Sequence, residues 1–385
     1  MNVPTYFNQF LSKVRLTPNQ VSDCRTGHMT LRNRLMDDDT LAPIIVNTFL
    51  QGSYRRATAV RPKDDKRADV DVIVVTKLDR SEYRNPEDAL KLFEPFLEEH
   101  YAGKWEPQGR SFGIKLGYVD LDIVPTAAPS VSEYGVLAKA SLADDETPDG
   151  VTNASAMPWW LSLGGDRAVH YSQSFAEAVR QDPEWKLEPL YIPDRDVKEW
   201  VPAHPLEQIR WTWNKNARCN GHYVNVVKAL KWWRRVNHPT PQYPKGYPVE
   251  HIIGQNCPDG ISSAAEGVTQ TLENVQAAYG VYIRLNMKPY LPDHGVPQHD
   301  VLKRVAASDF ALFYEQVVAA AAIARRALNE TSLSRSVAAW RELFGDRFPP
   351  PPDNDDDDSG GGGGSGQGGF SRRTTVSTVT GGRFA

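Results

Sequence analysis

Ala68-Asp69-Val70-Asp71-Val72-Ile73-Val74-Val75-Thr76 decides the fold. The β-branched run predicts a strand, and in a strand residues two apart share a face. Asp69, Asp71 and Ile73 therefore project together, while Val70, Val72 and Val74 project the other way into a core. Two carboxylates side by side on a buried strand repel each other. A divalent cation is the usual compensation. A second stretch repeats the design: in Tyr118-Val119-Asp120-Leu121-Asp122-Ile123-Val124-Pro125, Asp120 and Asp122 share one face and Val119, Leu121 and Ile123 the other. If the two strands are neighbours, one of these carboxylates joins the first pair. Three carboxylates can hold two Mg²⁺ ions, one to lower the pKa of an attacking hydroxyl and one to stabilise a leaving pyrophosphate.

Gly52-Ser53 precedes the acidic strand and follows the apolar stretch Leu41 to Leu50. Glycine lets backbone approach phosphate, and the serine hydroxyl with nearby N–H groups can hold triphosphate oxygens. A basic, proline-containing loop, Tyr54 to Arg67, separates the two. Thr17-Pro18-Asn19-Gln20 predicts a helix start with a capping box, and His28 lies on the packed face of that helix. Pro86 to His100 predicts a helix, and Ser111 to Val124 holds two short strands ending at Pro125. These alternating elements predict an α/β lobe. Residues 126–200 predict loops with short helices. From Pro205 the character is helical, with helices expected over Tyr223 to Val236, Ser262 to Tyr279, Ser308 to Leu328 and Ser334 to Phe344, the last ended by Gly345. The expected organisation is an α/β lobe over 1–200 that includes the N-terminal helices, a helical lobe over 201–348, and a tail over 349–385.

A net charge of -4 gives no overall basic field. Small nucleotides are therefore favoured over long RNA or DNA, and nucleic acid is not expected as a substrate. Three widely spaced cysteines argue against disulfides and a cysteine zinc site. The N-terminus has no signal-peptide pattern, and no window approaches 18 apolar residues. A cytoplasmic location without membrane attachment is expected.

Gly-Ser, a short gap, Asp-x-Asp on a β-branched strand and a further Asp before Ile-Val-Pro resemble the DNA polymerase β-like nucleotidyltransferase superfamily. Phe49-Leu50-Gln51-Gly52-Ser53, Thr58-Ala59-Val60-Arg61-Pro62 and Ala68-Asp69-Val70-Asp71-Val72 look like bacterial cGAS/DncV-like nucleotidyltransferases. Trp211 to Trp233, Tyr243-Pro244-Lys245-Gly246-Tyr247-Pro248 and the terminal Gly-Arg-Phe-Ala are similar to clade D of that group. The resemblance implies an α/β-plus-α fold, a polymerase-β-like lobe with a mixed sheet packed on a helical lobe. It implies a synthase of cyclic oligonucleotide second messengers in anti-phage defence, using ATP with or without GTP or other NTPs, whose product acts on a downstream effector. By motif position it implies Asp69, Asp71 and Asp122 as metal ligands and catalytic carboxylates for two Mg²⁺ (or Mn²⁺) ions. Asp120 is the less favoured third ligand. Gln51, Gly52 and Ser53 become nucleotide contacts.

On the Tyr223 to Val236 helix, Lys228, Lys231 and Arg235 form a basic stripe. In relatives a lysine here reaches the triphosphate; Lys231 matches best, with Lys228 as a second candidate. Tyr247 belongs to the next nucleotide-facing segment, although many relatives carry Ser where this chain has Gly246. Asp196, in Asp194-Arg195-Asp196 near the expected lobe junction, is a base-contact candidate. Tryptophans 159, 160, 211, 213, 232 and 233 could stack on bases but are more often core.

After Phe348 come four prolines, an acidic run and a Gly/Ser run, which cannot bury apolar surface and predict disorder. Residues 349–385 would span roughly 35 Å r.m.s. as a flexible chain. The resemblance implies that Ala385 is conjugated by a ubiquitin-transfer-like partner. Two other classes share parts of this pattern: a linear nucleotide-adding enzyme acting on RNA or protein, and a non-catalytic scaffold displaying its tail. Intact Asp69, Asp71 and Asp122 argue against the scaffold.

Overall fold

A computed structural model of the chain describes residues 1–63, 66–131, 137, 188–238 and 240–352. Trp159, Trp160 and residues 353–385 of the tail, with Ala385, lie outside the described residues. Strand β1 (Ile45–Gln51) runs antiparallel to β2 (Ala68–Thr76) and ends in a single helical turn, α3 (Gly52–Arg55). The acidic run is β2 over the span its pattern predicts. It pairs in parallel, along its whole length, with β5 (Val119–Ala127), so that Asp69 faces Asp120 and Asp71 faces Asp122. β4 (Phe112–Lys115) and β3 (Trp105–Pro107) complete the order β1-β2-β5-β4-β3, and β6 (Leu190–Asp194) with β7 (Glu199–Ala203) extends it from the far end of β5.

Alternation sorts the two faces. Val70, Val72 and Val74 pack with Leu121 and Ile123 against Leu31 and Leu35 of α2 (Pro18–Asp37) and against Leu90, Phe96 and Leu97. Ile73 and Val75 turn the other way, towards Leu206, Ile209 and Trp213 of α6 (Pro205–Arg218). Asp69, Asp71 and Asp122 lie on this second face. The Thr17–Gln20 capping box forms, and His28 is buried on α2.

Pro86 to His100 is two helices, α4 (Pro86–Lys91) and α5 (Glu94–Tyr101), rather than one. Pro95 lacks an N–H, and its ring excludes the carbonyl four residues back, so a new helix starts there. β5 continues through Pro125 to Ala127. Pro125 lies beyond the last β4 pairing at Ile123 and before the β6 pairing at Ala127, so its missing donor is not needed by either neighbour. The β6–β7 hairpin replaces expected loop; Pro193 and Pro202 hide its alternation.

The helical part comprises α7 (Tyr223–Asn237), α8 (Tyr247–Asn256), α9 (Ala264–Arg284), α10 (Ala307–Asn329) and α11 (Leu333–Phe344), the last ended by Gly345 at φ 71°. α1 (Pro4–Val14) joins this core rather than the sheet: Phe10 stacks on Phe344 at 4.5 Å, and Phe7 meets Trp340 edge-on at 4.9 Å. Among the described residues, α10 is long and apolar enough to cross a membrane. Its Phe310, Phe313, Val317, Ala320 and Ala324 face is buried in the same core, which is how a core helix meets the same criterion.

Candidate active site

Gly52 sits where β1 turns into α3, at φ +75°. A Cβ there would lie 1.6 Å from Asp71 Oδ2, so the close approach requires glycine on both conformational and steric grounds. Gln51 pairs with Asp71 across the β1–β2 ladder. The Ser53 carbonyl accepts the N–H groups of Thr58 and Ala59 at 2.9 and 3.0 Å, folding the following segment back over the turn.

Carboxylate oxygens of Asp69, Asp71 and Asp122 lie within 4.8 Å of one another. Asp122 accepts a 3.1 Å hydrogen bond from Gln108 Nε2, and Ser111 Oγ donates to Gln108 Oε1 at 3.0 Å. Asp120 is instead held by Arg67 at 3.3 Å, which separates the two candidates on β5. Asp69 keeps an exposed edge, but the protein packed around its carboxyl removes part of its hydration, and this, then the charges of Asp71 and Asp122, raises its pKa to about 8. Burial and Asp71 push Asp122 up to about 7. Asp71 is raised as well, chiefly by burial, although Arg56 opposes the shift. A trio of hard oxygen donors that resists carrying its full charge at neutral pH fits a divalent cation.

Lys231 Nζ donates to Glu250 Oε1 at 2.7 Å and to the Thr58 carbonyl at 3.0 Å, and its charge is felt at Asp71. Lys228 is buried beside Arg15 and Lys231, and burial lowers its pKa strongly. Tyr247, in the first turn of α8, carries the Arg56 guanidinium 5.1 Å from its ring centroid. Asp196, exposed on the β6–β7 turn, pairs with Arg304 at 3.4 Å. It also lies against Gly109, next to the residue that holds Asp122. Trp213, Trp232 and Trp233 are core, and Trp211 stacks on His294 at 3.7 Å.

Four groups at the site escaped the sequence: Arg56, Arg67, Gln108 and Glu250. Glu250 carried a signal, a lone charge inside Val249-Glu250-His251-Ile252-Ile253. Gln108 carried none, since it stands in a loop without periodicity.

Residues 1–142 match a family described as the Second Messenger Oligonucleotide or Dinucleotide Synthetase domain. The chain is 46% identical over 363 residues to a cyclic AMP-AMP-GMP synthase of Enterobacter hormaechei subsp. hoffmannii, covering 91% of this chain and 92% of that one. It is 29% identical to a cyclic AMP-AMP-AMP synthase of Acinetobacter sp., covering 91% and 86%. Among solved structures, the Bradyrhizobium diazoefficiens CD-NTase CdnG in complex with GTP superposes with a TM-score of 0.62. The alignment has 13% identity and covers 89% of this chain and 94% of that one, a likeness of fold.

Proposed function

The chain belongs to the cGAS/DncV-like nucleotidyltransferases, and on that premise we propose that it joins nucleoside triphosphates into a cyclic oligonucleotide second messenger. The observation that carries this reading is the convergence of Asp69, Asp71 and Asp122 beside the Gly52-Ser53 turn. The product we propose is a cyclic trinucleotide built from ATP, with or without GTP, that acts on a downstream effector in anti-phage defence. The similarity to synthases named for cyclic AMP-AMP-GMP and cyclic AMP-AMP-AMP supports it.

Asp69, Asp71 and Asp122 would hold the divalent ions, two Mg²⁺ or Mn²⁺ in this reading. When bound, these ions supply the positive charge that lowers the pKa of an attacking hydroxyl and stabilises the pyrophosphate leaving group. Gln108 orients Asp122 through its amide, and Gly52 leaves room for Asp71. Gln51 and the Ser53 hydroxyl, at the start of α3, serve as nucleotide contacts beside that pair. Lys231 supplies a fixed cation for the triphosphate, and Tyr247 lines the same side of the cleft. Lys228, buried on the same helix as Lys231, is the second candidate for the triphosphate contact. Asp196, on the β6–β7 turn, would make a base contact in this reading. Positioning two nucleotides with their reacting atoms in line adds to the electrostatic stabilisation available at such a site.

Omitting one NTP at a time, with product masses read by mass spectrometry, tests the reading. Three nucleotide units without a terminal phosphate are expected, with ATP indispensable. A ladder of linear products, or a requirement for added RNA, would overturn it. We also propose that Ala385 is joined through a thioester to a ubiquitin-transfer-like partner. The composition of residues 349–385 supports a tail long enough to present it. With partner and ATP present, intact mass should show an adduct on the last residue; none forming would remove this proposal.

A further inference from the structure

Lys231 is held by one carboxylate that also holds a second cation. Lys231 and Glu250 are 2.7 Å apart, with only 11% and 5% of their side chains exposed. Glu250 Oε2 accepts from Arg56 Nη2 at 3.2 Å, from Arg56 Nε at 3.3 Å and from the Thr58 hydroxyl at 2.8 Å. Arg56 and Thr58 belong to the segment that leaves Gly52-Ser53, Lys231 to α7 and Glu250 to α8. The cluster joins the phosphate-facing turn to the helical lobe, and with two cations to one anion it keeps one positive charge.

We propose that Glu250 is a positioning residue that keeps the Lys231 ammonium charged and fixed against the Gly52–Thr58 segment, and so sets the pH range over which the site binds a nucleoside triphosphate. This rests on the reading of Lys231 as the triphosphate cation. Charged and titratable groups reach Lys231 from each neighbouring element: Glu250 on α8, Arg56 after α3, Asp71 on β2, and Lys228 and Arg235 on α7. Burial favours the neutral amine, and Glu250 opposes it. With Glu250 neutral, the guanidinium groups of Arg56 and Arg235 outnumber Asp71 around the amine, which then loses its proton at lower pH.

The test measures binding of a non-hydrolysable ATP analogue to the full chain with Mg²⁺, from pH 6.5 to 8.5. The carboxylates of the metal site ionise within this range, so each variant is read as its ratio to the wild type at the same pH. Against that reference, Glu250→Gln should bind about tenfold more weakly at the alkaline end than at the acid end, the change in charged fraction for one pH unit above the amine's pKa. Lys231→Arg in the Glu250→Gln background should make the ratio even across the range, because a guanidinium does not titrate there. Should Glu250→Gln fail to fold, Glu250→Asp keeps the charge at shorter reach and should show a smaller alkaline loss. A profile parallel to the wild type in the folded variant, or an alkaline loss that survives Lys231→Arg, overturns the proposal. The proposed activity fails separately: a wild type that binds the analogue, with variants following these ratios, yet makes no cyclic product would remove the synthase reading and leave the role of Glu250 standing.

Discussion

Replacing Asp71 with Asn is expected to cut product formation by about 10³-fold or more, since a catalytic metal supplies several kcal/mol of transition-state stabilisation and about 1.4 kcal/mol is a decade of rate. The same change should not harm the metal-free fold. Asp69 and Asp122 titrate upward in the folded protein, to about 8 and 7, and Asp71 shifts in the same direction. A carboxylate raised by folding contributes stability that is fully present below its unfolded pKa and is lost as pH rises through the folded value. The metal-free wild type should therefore melt lower at pH 8 than at pH 5.5, and Mg²⁺ should recover the loss. In Asp71→Asn the pH dependence should be shallower and Mg²⁺ should have little effect. Thermal melts at the two pH values, with and without Mg²⁺, read this directly; melting at pH 8 that ignores Mg²⁺ in the wild type would refute the metal assignment. Asp120→Asn is the contrast. Its half-exposed pair with Arg67 is worth about 1 kcal/mol or less, so activity should stay within about fivefold.

Gly52→Ala is expected to be nearly as damaging although it adds one methyl group. The left-handed backbone at φ +75° costs an alanine about 1–2 kcal/mol. The larger effect is steric, because the new Cβ would occupy a point 1.6 Å from Asp71 Oδ2. The carboxylate must move by about 1 Å or more to relieve the contact, and a displacement of that size at a reacting centre costs about 10²-fold in rate. Gly103→Ala separates the two terms. Gly103 also has a positive φ, 68°, but nothing lies within 4 Å of its Cβ position. Its alanine variant should lose stability and keep the wild-type rate. Equal activity losses in the two variants would mean that crowding of Asp71 is not the cause.

The residues that place the carboxylates were legible because they obey a local rule. Alternation in Ala68–Thr76 and Val119–Ala127 put Asp69, Asp71 and Asp122 on one face, and the parallel register then set Asp71 beside Asp122. The register itself was not legible, since nothing local says that β2 and β5 are neighbours. The choice of Asp122 over Asp120 came from resemblance; the physical separation, Gln108 against Arg67, depends on two loops meeting β5. Glu250 and Arg56 stand 194 residues apart, and no periodicity announces such a contact. α1 was grouped with the α/β lobe by its place in the chain alone, whereas Phe7, Phe10, Leu11 and Val14 pack into the helical core, a contact that no local pattern specifies. Proline misled twice, hiding the β6–β7 hairpin and concealing that Pro95 begins a helix of its own.

In the proposed reaction, Asp69, Asp71 and Asp122 join nucleotides into a closed ring without a nucleic-acid substrate. Incubating the purified chain with labelled NTPs and Mg²⁺ or Mn²⁺, followed by phosphatase, tests it most directly. A label that survives phosphatase in the wild type, and vanishes when the metal is chelated, is the predicted result. Label released completely by phosphatase, or product that forms only when RNA is added, would contradict it.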